Sequence, residues 1–362
     1  MKICRIWFAT FLLAAVPPIA ASATPSITAA FAQTAATSSS SMTNRDNKSI
    51  NDAATCDNAV IAPLGEPTEF TTSATGIKLA MRKWLPEGDP KSVILLQHGG
   101  AGFHSGYSDI LGQAMKANGI AVIAYDQAGC GYSDSIKGLR AYFDSVDALT
   151  DDFTKILNDV RQEYPNKKVF AMGESYGAQT ILKQMLVEQK KDAAEASLAD
   201  GYILTGPVIQ LLPEMIPPGP AVAVVKFLAR FFPMIEAPGT DFFSTFDLAF
   251  GDQRWAKAGR ADPIIQEAAT IPPRIGMISS VLTSMDEVYA SLADVKMPIK
   301  VLMGEYEQRV DTDAVRKVVE VAQAEDKSFE VVKGAYHQLF QDMPEVTNSV
   351  CESVKDWVLE RS

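Results

Sequence analysis

The chain has 362 residues, of which 47% are hydrophobic and 21% charged, and its 44 acidic against 33 basic side chains give a formal net charge of −11. This composition is that of a globular protein, and it excludes a disordered, collagen-like or multi-span membrane protein for most of the chain. The acidic balance argues against a nucleic-acid partner, because phosphate binding needs clustered positive charge. The four cysteines are too few and too scattered for a disulfide scaffold or a zinc site.

The chain begins with the pattern of a secretory signal peptide. Lys2 and Arg5 precede an uncharged apolar run over Ile6–Val16, and two prolines and an Ala-Ser-Ala cleavage pattern follow it. The run has about eleven residues, whereas a helix that spans a membrane needs about twenty. We therefore predict a cleaved signal peptide over residues 1–23, with a second cleavage position that would extend it to residues 1–30.

Residues 31–63 are rich in serine and threonine and have no hydrophobic periodicity. Such a segment is typical of a flexible leader, so we place the start of the folded domain at residue 64. The signal peptide by itself predicts the secretory pathway, with secretion or residence in the ER lumen. Signal peptide and leader together resemble the two-part plastid targeting sequences of algae with secondary plastids, which makes a plastid the alternative compartment.

From Phe70 onward, short apolar runs alternate with longer amphipathic segments. The short runs are typical of strands, and in chain order they cover Ile77–Trp84, Ser92–Leu96, Ile120–Tyr125, Val169–Met172, Tyr202–Leu204, Ile299–Met303 and Phe329–Val332. The amphipathic segments predict helices over about Tyr107–Asn118, Val146–Tyr164, Ala178–Glu188, Thr312–Ala324 and Val346–Leu359. This alternation predicts an α/β fold with a mostly parallel central sheet and helices on both faces.

The alternation stops between residues 207 and 292. Prolines recur through this stretch, among apolar groups such as Phe231-Phe232 and Phe242-Phe243. Closely spaced prolines exclude long regular strands, so we interpret the stretch as a helical lid inserted into the sheet domain. The alternative is a divergent part of the core. On the first interpretation, residues 64–362 form one α/β domain with a lid at about 207–292.

Gly173-Glu174-Ser175-Tyr176-Gly177 is a G-x-S-x-G motif that lies between a predicted strand and a predicted helix. A serine in a sharp strand-to-helix turn projects its Oγ above the sheet, and the flanking glycines relieve the crowding in the turn. The helix that follows directs backbone N–H groups toward the same place. Ser175 is therefore the predicted nucleophile.

A serine hydroxyl needs a general base. Where the nucleophile lies on such a turn, the chain order is serine, acid, histidine, and His337 is the only histidine after Ser175. It lies in a loop between the last predicted strand and the last predicted helix. The acid is expected just after the preceding strand, where Glu307 and Asp311 are the candidates and Glu305 is a poorer one because it lies too near the strand.

Two backbone N–H donors are needed to stabilise a developing oxyanion. The residue after the nucleophile, Tyr176, supplies one of them. The other is expected from the glycine-rich loop His98–Gly102, where we choose Gly100 and keep Ala101 as the alternative. His98 itself is expected to support this loop. The loop is not a phosphate-binding loop, because no Gly-Lys-Ser/Thr sequence follows.

These motifs together resemble the serine α/β-hydrolase superfamily, and more narrowly its monoacylglycerol lipase and lysophospholipase group of S33-type hydrolases. The resemblance covers the chain from about residue 68 apart from the lid, and four segments carry it: His98–Tyr107, Asp126–Ser133, Gly173–Gly177 and Tyr336–Leu339. Cys130 stands where the group usually has histidine, and Tyr176 where methionine is common. Gly304–Glu307 is similar to the group's G-E-x-D segment, so the resemblance favours Glu307 over Asp311 as the acid.

The resemblance implies an α/β-hydrolase fold and a serine carboxylester hydrolase that cleaves lipid-like esters, of the monoacylglycerol or lysophospholipid type, through an acyl-enzyme. It implies no metal or organic cofactor. The partner is then a small-molecule or lipid ester. A transient contact between the apolar lid and a membrane surface stays open, as does the oligomeric state.

Two functions of other classes also stay open. A proline-type aminopeptidase on the same fold needs a carboxylate cluster near the lid to hold a free amino terminus, and no obvious cluster surrounds Glu214 or Glu236. A non-catalytic ligand-binding α/β-hydrolase is the second alternative, although it would have no need of the serine, the histidine and the acid that this chain retains.

Overall fold

A single sheet accounts for the apolar runs of the sequence. The computed structural model describes residues 61–100, 102–192, 196–237 and 246–362, so the predicted signal peptide and residues 31–60 of the predicted leader lie outside the described residues. Within this part of the chain, eight strands lie in the order β1-β2-β4-β3-β5-β6-β7-β8. They are β1 Glu69–Thr72, β2 Lys78–Trp84, β3 Ser92–Gln97, β4 Ile120–Tyr125, β5 Lys168–Glu174, β6 Gly201–Thr205, β7 Ile299–Gly304 and β8 Lys327–Val332.

The sheet is mostly parallel, as predicted. Strand β2 pairs antiparallel with β1 and β4, and every pair from β4 through β3 to β8 is parallel. Strands β3, β4, β6 and β7 are buried along their whole length, which explains why their sequences are mainly apolar rather than alternating. Strand β1 was not predicted, because it has four residues whose side chains are mainly exposed.

Helices cover both faces of the sheet. The helices among the described residues are α1 Asp109–Ala117, α2 Val146–Glu163, α3 Tyr176–Glu188, α4 Gly219–Ala229, α5 Gln253–Ala261, α6 Pro263–Ala269, α7 Ile275–Ala290, α8 Thr312–Val321 and α9 Pro344–Leu359. Helices α2, α3 and α8 pack on one face, against side chains such as Leu95 and Ile123. Helices α1 and α9 pack on the other face, against the alternate side chains such as Ile94 and Leu96.

The stretch from residue 207 to 292, called the insertion below, connects β6 to β7. Its described part holds α4 to α7 and two short 3-10 helices, Pro213–Met215 and Asp247–Ala249; a further 3-10 helix, Leu292–Asp294, follows α7. The prolines mark helix starts, since Pro263 is the first residue of α6 and Pro218 directly precedes α4. Helix α7 packs against both α3 and α4. The insertion therefore rests on the helix that follows the nucleophile.

The core and the insertion belong to one compact unit that covers Ile61–Ser362. Cys130 and Cys351 are buried free thiols in this unit; Cys4 and Cys56 lie outside the described residues. None of the helices that the structure describes is both long enough and apolar enough to cross a lipid bilayer.

Candidate active site

Ser175 lies on a sharp turn between β5 and α3. Its backbone has a φ of 53° and a ψ of −115°, a conformation that residues with a Cβ rarely adopt. The flanking glycines permit the turn: a Cβ on Gly173 would lie 2.6 Å from the backbone of Ala178, and a Cβ on Gly177 would lie 2.4 Å from the carbonyl oxygen of His98. The glycines of the motif are therefore steric requirements, and the serine between them is held in a strained conformation.

The structure brings Ser175, His337 and Glu307 into one chain of hydrogen bonds. The Oγ of Ser175 lies 2.8 Å from the Nε2 of His337, and the Nδ1 of His337 lies 2.7 Å from the Oε2 of Glu307. An ionised carboxylate only accepts hydrogen bonds, so the Nδ1–H of His337 donates to Glu307 and its Nε2 accepts from the serine hydroxyl. This tautomer is the one that a general base for Ser175 requires.

Glu307 is held as an anion in the interior. Its side chain is 0% exposed, and its Oε1 accepts the backbone N–H of Arg309 at 2.7 Å and that of Val310 at 3.3 Å. Burial acts to raise the pKa of this carboxyl, but His337 and the two backbone donors outweigh burial, so the pKa of Glu307 lies below its ordinary value of 4.5. At neutral pH, Glu307 therefore carries a negative charge beside the Nδ1–H of His337.

The other two candidate acids are engaged elsewhere. Asp311, the alternative acid, caps helix α8, because its Oδ1 accepts the backbone N–H groups of Asp313 and Ala314 at 2.9 Å and 3.1 Å. The Oε2 of Glu305 accepts the backbone N–H of Gly334. Of the three carboxylates that follow β7, only that of Glu307 therefore contacts the imidazole of His337 among the described residues.

The loop after β3 passes directly beside the nucleophile. A Cβ on Gly99 would lie 3.2 Å from the Cβ of Ser175, a tight contact that a larger residue could make only if the two segments moved apart by a few tenths of an ångström. Gly100 follows, and its carbonyl accepts the N–H of Phe103 in a tight turn; Ala101 lies outside the described residues. Tyr176 is the first residue of α3, and its N–H belongs to the group that has no acceptor within a helix. Both predicted oxyanion donors, Gly100 and Tyr176, thus lie on segments that meet at Ser175.

His98 supports this loop with both ring nitrogens. Its Nε2 accepts the backbone N–H of Gln127 at 3.0 Å, its Nδ1–H donates to the carbonyl of Gly99 at 2.8 Å, and the side-chain amide of Gln127 donates to the carbonyl of His98. Burial lowers the pKa of His98 to about 4, so the ring is neutral at physiological pH. With both nitrogens engaged, His98 anchors the start of the loop.

Two buried carboxylates near the site were not singled out from the sequence. Asp342 accepts the backbone N–H of Tyr336 at 2.8 Å, and so holds the loop that carries His337. Asp262 lies in the insertion and binds His104 and Tyr107, which are 158 and 155 residues away in the chain. Asp342 could have been found from the sequence, since it lies shortly before Pro344, the proline that starts α9. Asp262 has none, because its partners are distant in sequence.

A serine on a strand-to-helix turn, a histidine after the last strand and a carboxylate after the preceding strand define a serine hydrolase of the α/β-hydrolase class. The family model described as "Serine aminopeptidase, S33" matches residues 88–344, so the chain belongs to this family. Among the described residues there is no group of three or more His, Cys, Asp or Glu side chains that could hold a metal ion.

Curated relatives and solved structures agree with this assignment. The chain is 29% identical over 292 residues to the monoglyceride lipase of Rattus norvegicus, covering 80% of this chain and 89% of that protein. It is 24% identical over 284 residues to the monoacylglycerol lipase of Mycolicibacterium smegmatis, covering 78% and 94%. A soluble variant of the Saccharomyces cerevisiae monoglyceride lipase, solved with a substrate analogue, has the same fold, with a TM-score of 0.69 at 20% identity over 84% of this chain and 98% of that one. The predicted α/β-hydrolase fold, the family resemblance and the assignment as a serine carboxylester hydrolase are confirmed.

Proposed function

We propose that the protein hydrolyses carboxylic esters of monoacylglycerols or related single-chain lipids through an acyl-enzyme. The observation that carries the proposal is the chain of hydrogen bonds that runs from Ser175, on the strained turn, through His337 to Glu307. The Oγ of Ser175 attacks the ester carbonyl while His337 takes its proton, and Glu307 stabilises the imidazolium that forms. The N–H groups of Gly100 and Tyr176 bind the oxyanion. His337 then protonates the leaving alcohol, and water releases the acid in the reverse sequence of proton transfers.

A proline-type aminopeptidase is disfavoured by the charges of the insertion. Such an enzyme needs free carboxylates to bind the substrate's amino terminus. The side chain of Glu214 lies outside the described part of the structure, and each of the other acidic side chains that the structure describes in the insertion lies no more than 3.9 Å from a basic one. The pairs are Glu236 with Arg274, Asp247 with Arg260, Asp252 with Arg254, Asp262 with His104, Glu267 with Arg140, Asp286 with Lys226 and Glu287 with Lys183. These pairings leave the carboxylates occupied by the protein itself.

The two functions are separated by their substrates. We expect hydrolysis of monoacylglycerols with medium and long acyl chains, and kcat/KM for them at least about 10³-fold above that for prolyl-anilides, since a site built for one leaving group leaves the polar groups of the other unpaired. The measurement is kcat/KM for a series of acyl-chain lengths and for a prolyl-anilide. The Ser175→Ala variant serves as the blank. Faster cleavage of the anilide would overturn the ester hydrolase in favour of the peptidase.

We further propose that helix α4 and the turn after it contact a lipid surface. Apolar side chains that share a strong exposure to solvent lie there: Val224, Phe227, Phe231, Phe232, Met234 and Ile235. Phe227 is 66% exposed and Phe231 is 59% exposed, and their ring centroids lie 5.5 Å apart. A soluble monomer seldom exposes a cluster of this kind without a partner. Burial in lipid would remove these rings from water. It would also place the protein next to the lipid aggregate in which a single-chain lipid ester resides.

The double variant Phe227→Ser, Phe231→Ser is therefore expected to bind phosphatidylcholine vesicles at least about tenfold more weakly, because each buried phenylalanine contributes about 1.5–3 kcal/mol. Vesicle co-sedimentation measures this loss. A matched control, Leu85→Ser with Val187→Ser, changes two residues that are 42% and 45% exposed outside the insertion, and is expected to bind as the wild type does. Hydrolysis of a monomeric p-nitrophenyl butyrate should be unchanged in both variants. Equal vesicle binding by the two double variants would contradict the contact.

A further inference from the structure

Asp262 joins the insertion to the far end of the loop that runs from β3 past Ser175 to His104. It lies between α5 and α6, is 7% exposed, and its Oδ1 accepts the backbone N–H of Ile264 at 2.8 Å, which caps α6. Its Oδ2 accepts two further hydrogen bonds from the core, from the Nε2 of His104 at 3.0 Å and from the hydroxyl of Tyr107 at 2.9 Å. Both partners are buried. A single carboxylate thus holds two distant parts of the chain together.

The protonation states of this group are determined by its hydrogen bonds. The backbone N–H of Gly106 donates to the Nδ1 of His104 at 3.1 Å, so Nδ1 carries no proton and the Nε2–H donates to Asp262. Burial acts to raise the pKa of Asp262, but the hydrogen bonds from His104, Tyr107 and Ile264 outweigh burial and hold that pKa below its ordinary value. The carboxylate is therefore ionised and accepts from two oriented donors of the core.

His104 stands at the far end of the loop that carries Gly99 and Gly100 past Ser175. The near end of this loop is anchored through His98 and Gln127. At the far end, the ring of Phe103 packs against Tyr107 and against Phe246 and Phe250 of the insertion, at centroid distances of 5.1, 5.9 and 6.4 Å. The far end of the loop therefore packs against the insertion, and Asp262 contributes a buried negative charge to that contact.

We propose that Asp262 is a positioning residue for the oxyanion hole: by holding His104 and Tyr107, it determines where the loop presents the N–H of Gly100. The proposal rests on the proposed ester hydrolysis. On this view the insertion forms part of the scaffold of the site, since its second half, around α5 and α6, orients a donor to the reacting oxygen. A displacement of about 1 Å at such a donor is sufficient to lower the rate by about 100-fold.

Two substitutions of His104 separate this role from general support. In His104→Asn, the amide oxygen replaces Nδ1 and accepts from Gly106, but no atom of residue 104 reaches Asp262, which keeps only its hydrogen bonds from Tyr107 and Ile264. In His104→Gln, the longer side chain places its amide nitrogen near the position of Nε2 and donates to Asp262. We expect the Asn variant to lose about 10- to 100-fold in kcat with KM changed by less than about threefold, and the Gln variant to retain most of kcat. Asp262→Asn is expected to behave as His104→Asn does, because its one amide oxygen is uncharged and cannot accept both from the core donors at Oδ2 and from the N–H of Ile264 at Oδ1.

The decisive readout is the rate at which a small alkyl fluorophosphonate labels Ser175. In that reaction the Oγ–P bond forms, the P–F bond breaks and His337 takes the proton, while the phosphoryl oxygen occupies the oxyanion hole. Parallel losses of labelling rate and kcat in His104→Asn and Asp262→Asn, with unfolding midpoints close to those of His104→Gln, support the proposal. Labelling at the wild-type rate in His104→Asn, or a loss that affects KM alone, overturns it. If the wild type is labelled but cleaves no ester, the proposed function fails, and the labelling rates still decide the role of Asp262.

Discussion

Replacing Ser175 with alanine is expected to lower kcat/KM for ester hydrolysis by about 10⁴-fold or more, because the acyl-enzyme can no longer form. The histidine, the acid and the oxyanion donors remain in place, so substrate should still bind and the residual rate should reflect binding and the oxyanion hole alone. The measurement is the hydrolysis of a soluble p-nitrophenyl ester, together with intact mass after fluorophosphonate treatment. Wild-type protein should gain one adduct and the variant none. Turnover near the wild-type level would remove Ser175 as the nucleophile.

A second variant at the same position tests whether the turn is strained. Alanine keeps a Cβ at a φ of 53°, whereas glycine adopts this conformation without a steric penalty. Strain of about 1–3 kcal/mol, reduced by about 0.5–1 kcal/mol for the greater freedom of glycine in the unfolded chain, predicts that Ser175→Gly is about 1 kcal/mol more stable than Ser175→Ala. Urea unfolding of both inactive proteins measures the difference. Equal free energies of unfolding would show that the surrounding structure relieves the strain in another way.

The parts of the fold that could be predicted from the sequence are those determined by local burial. Strands β3 to β7 lie inside the sheet, so their sequences, of five to seven residues, are mainly apolar. The strand-to-helix turn at Ser175 could be predicted because its requirements are local, with two glycines required by contacts of 2.6 Å and 2.4 Å on either side of Ser175. His337 follows from chain order, since no other histidine comes after the nucleophile.

The remaining features depend on tertiary contacts that no local pattern records. Glu307 and Asp311 are both acidic residues after β7, and only the path of the loop decides that Glu307 meets His337 while Asp311 caps α8. The link from Asp262 to His104 joins residues 158 positions apart. The sequence predicts a helical insertion from its prolines, but not that its second half packs against the loop beside Ser175.

Each loop of the site is held by its own buried polar group. His98 anchors the start of the oxyanion loop, Asp342 holds the backbone of the histidine loop, and two backbone N–H groups orient the carboxylate of Glu307. Catalysis by hydrogen-bond donors requires that they be in place before charge develops, because reorganisation during the reaction would cost free energy. These supports are the physical basis for expecting large effects from substitutions that leave the reacting atoms unchanged.

Glu307→Gln is expected to lower kcat by about 10⁴-fold, the loss seen when a triad carboxylate becomes an amide. The oxygens of Glu307 accept from His337 on one side and from the N–H groups of Arg309 and Val310 on the other. An amide has one acceptor oxygen, so in either orientation its NH₂ faces a donor. If the NH₂ faces Nδ1, the imidazole takes the other tautomer, and Nε2 can no longer accept the proton of Ser175. The measurement is kcat for the soluble ester at neutral pH.

Asp311→Asn is the matched control, because it removes the negative charge of the alternative acid while asparagine still caps a helix well. It is expected to keep kcat within about twofold of the wild type. Glu307→Asp keeps the charge but withdraws the carboxylate by one methylene, and an intermediate loss of about 10- to 100-fold is expected. A large loss in Asp311→Asn with normal activity in Glu307→Gln would reverse the assignment of the acid.

Acid unfolding provides an independent test of the same carboxylate. Because the pKa of Glu307 in the folded protein lies below its ordinary value of 4.5, its contribution to stability is fully present above that value and is lost as the pH falls through the lowered value. Glutamine cannot titrate, so the free energy of unfolding of the wild type relative to Glu307→Gln should fall as the pH is lowered below 4.5. The other carboxylates are common to both proteins and cancel in this difference. A difference that does not change below pH 4.5 would contradict the electrostatic role of His337 and the two backbone donors, since it would mean that Glu307 binds its proton equally well in the folded and unfolded chains.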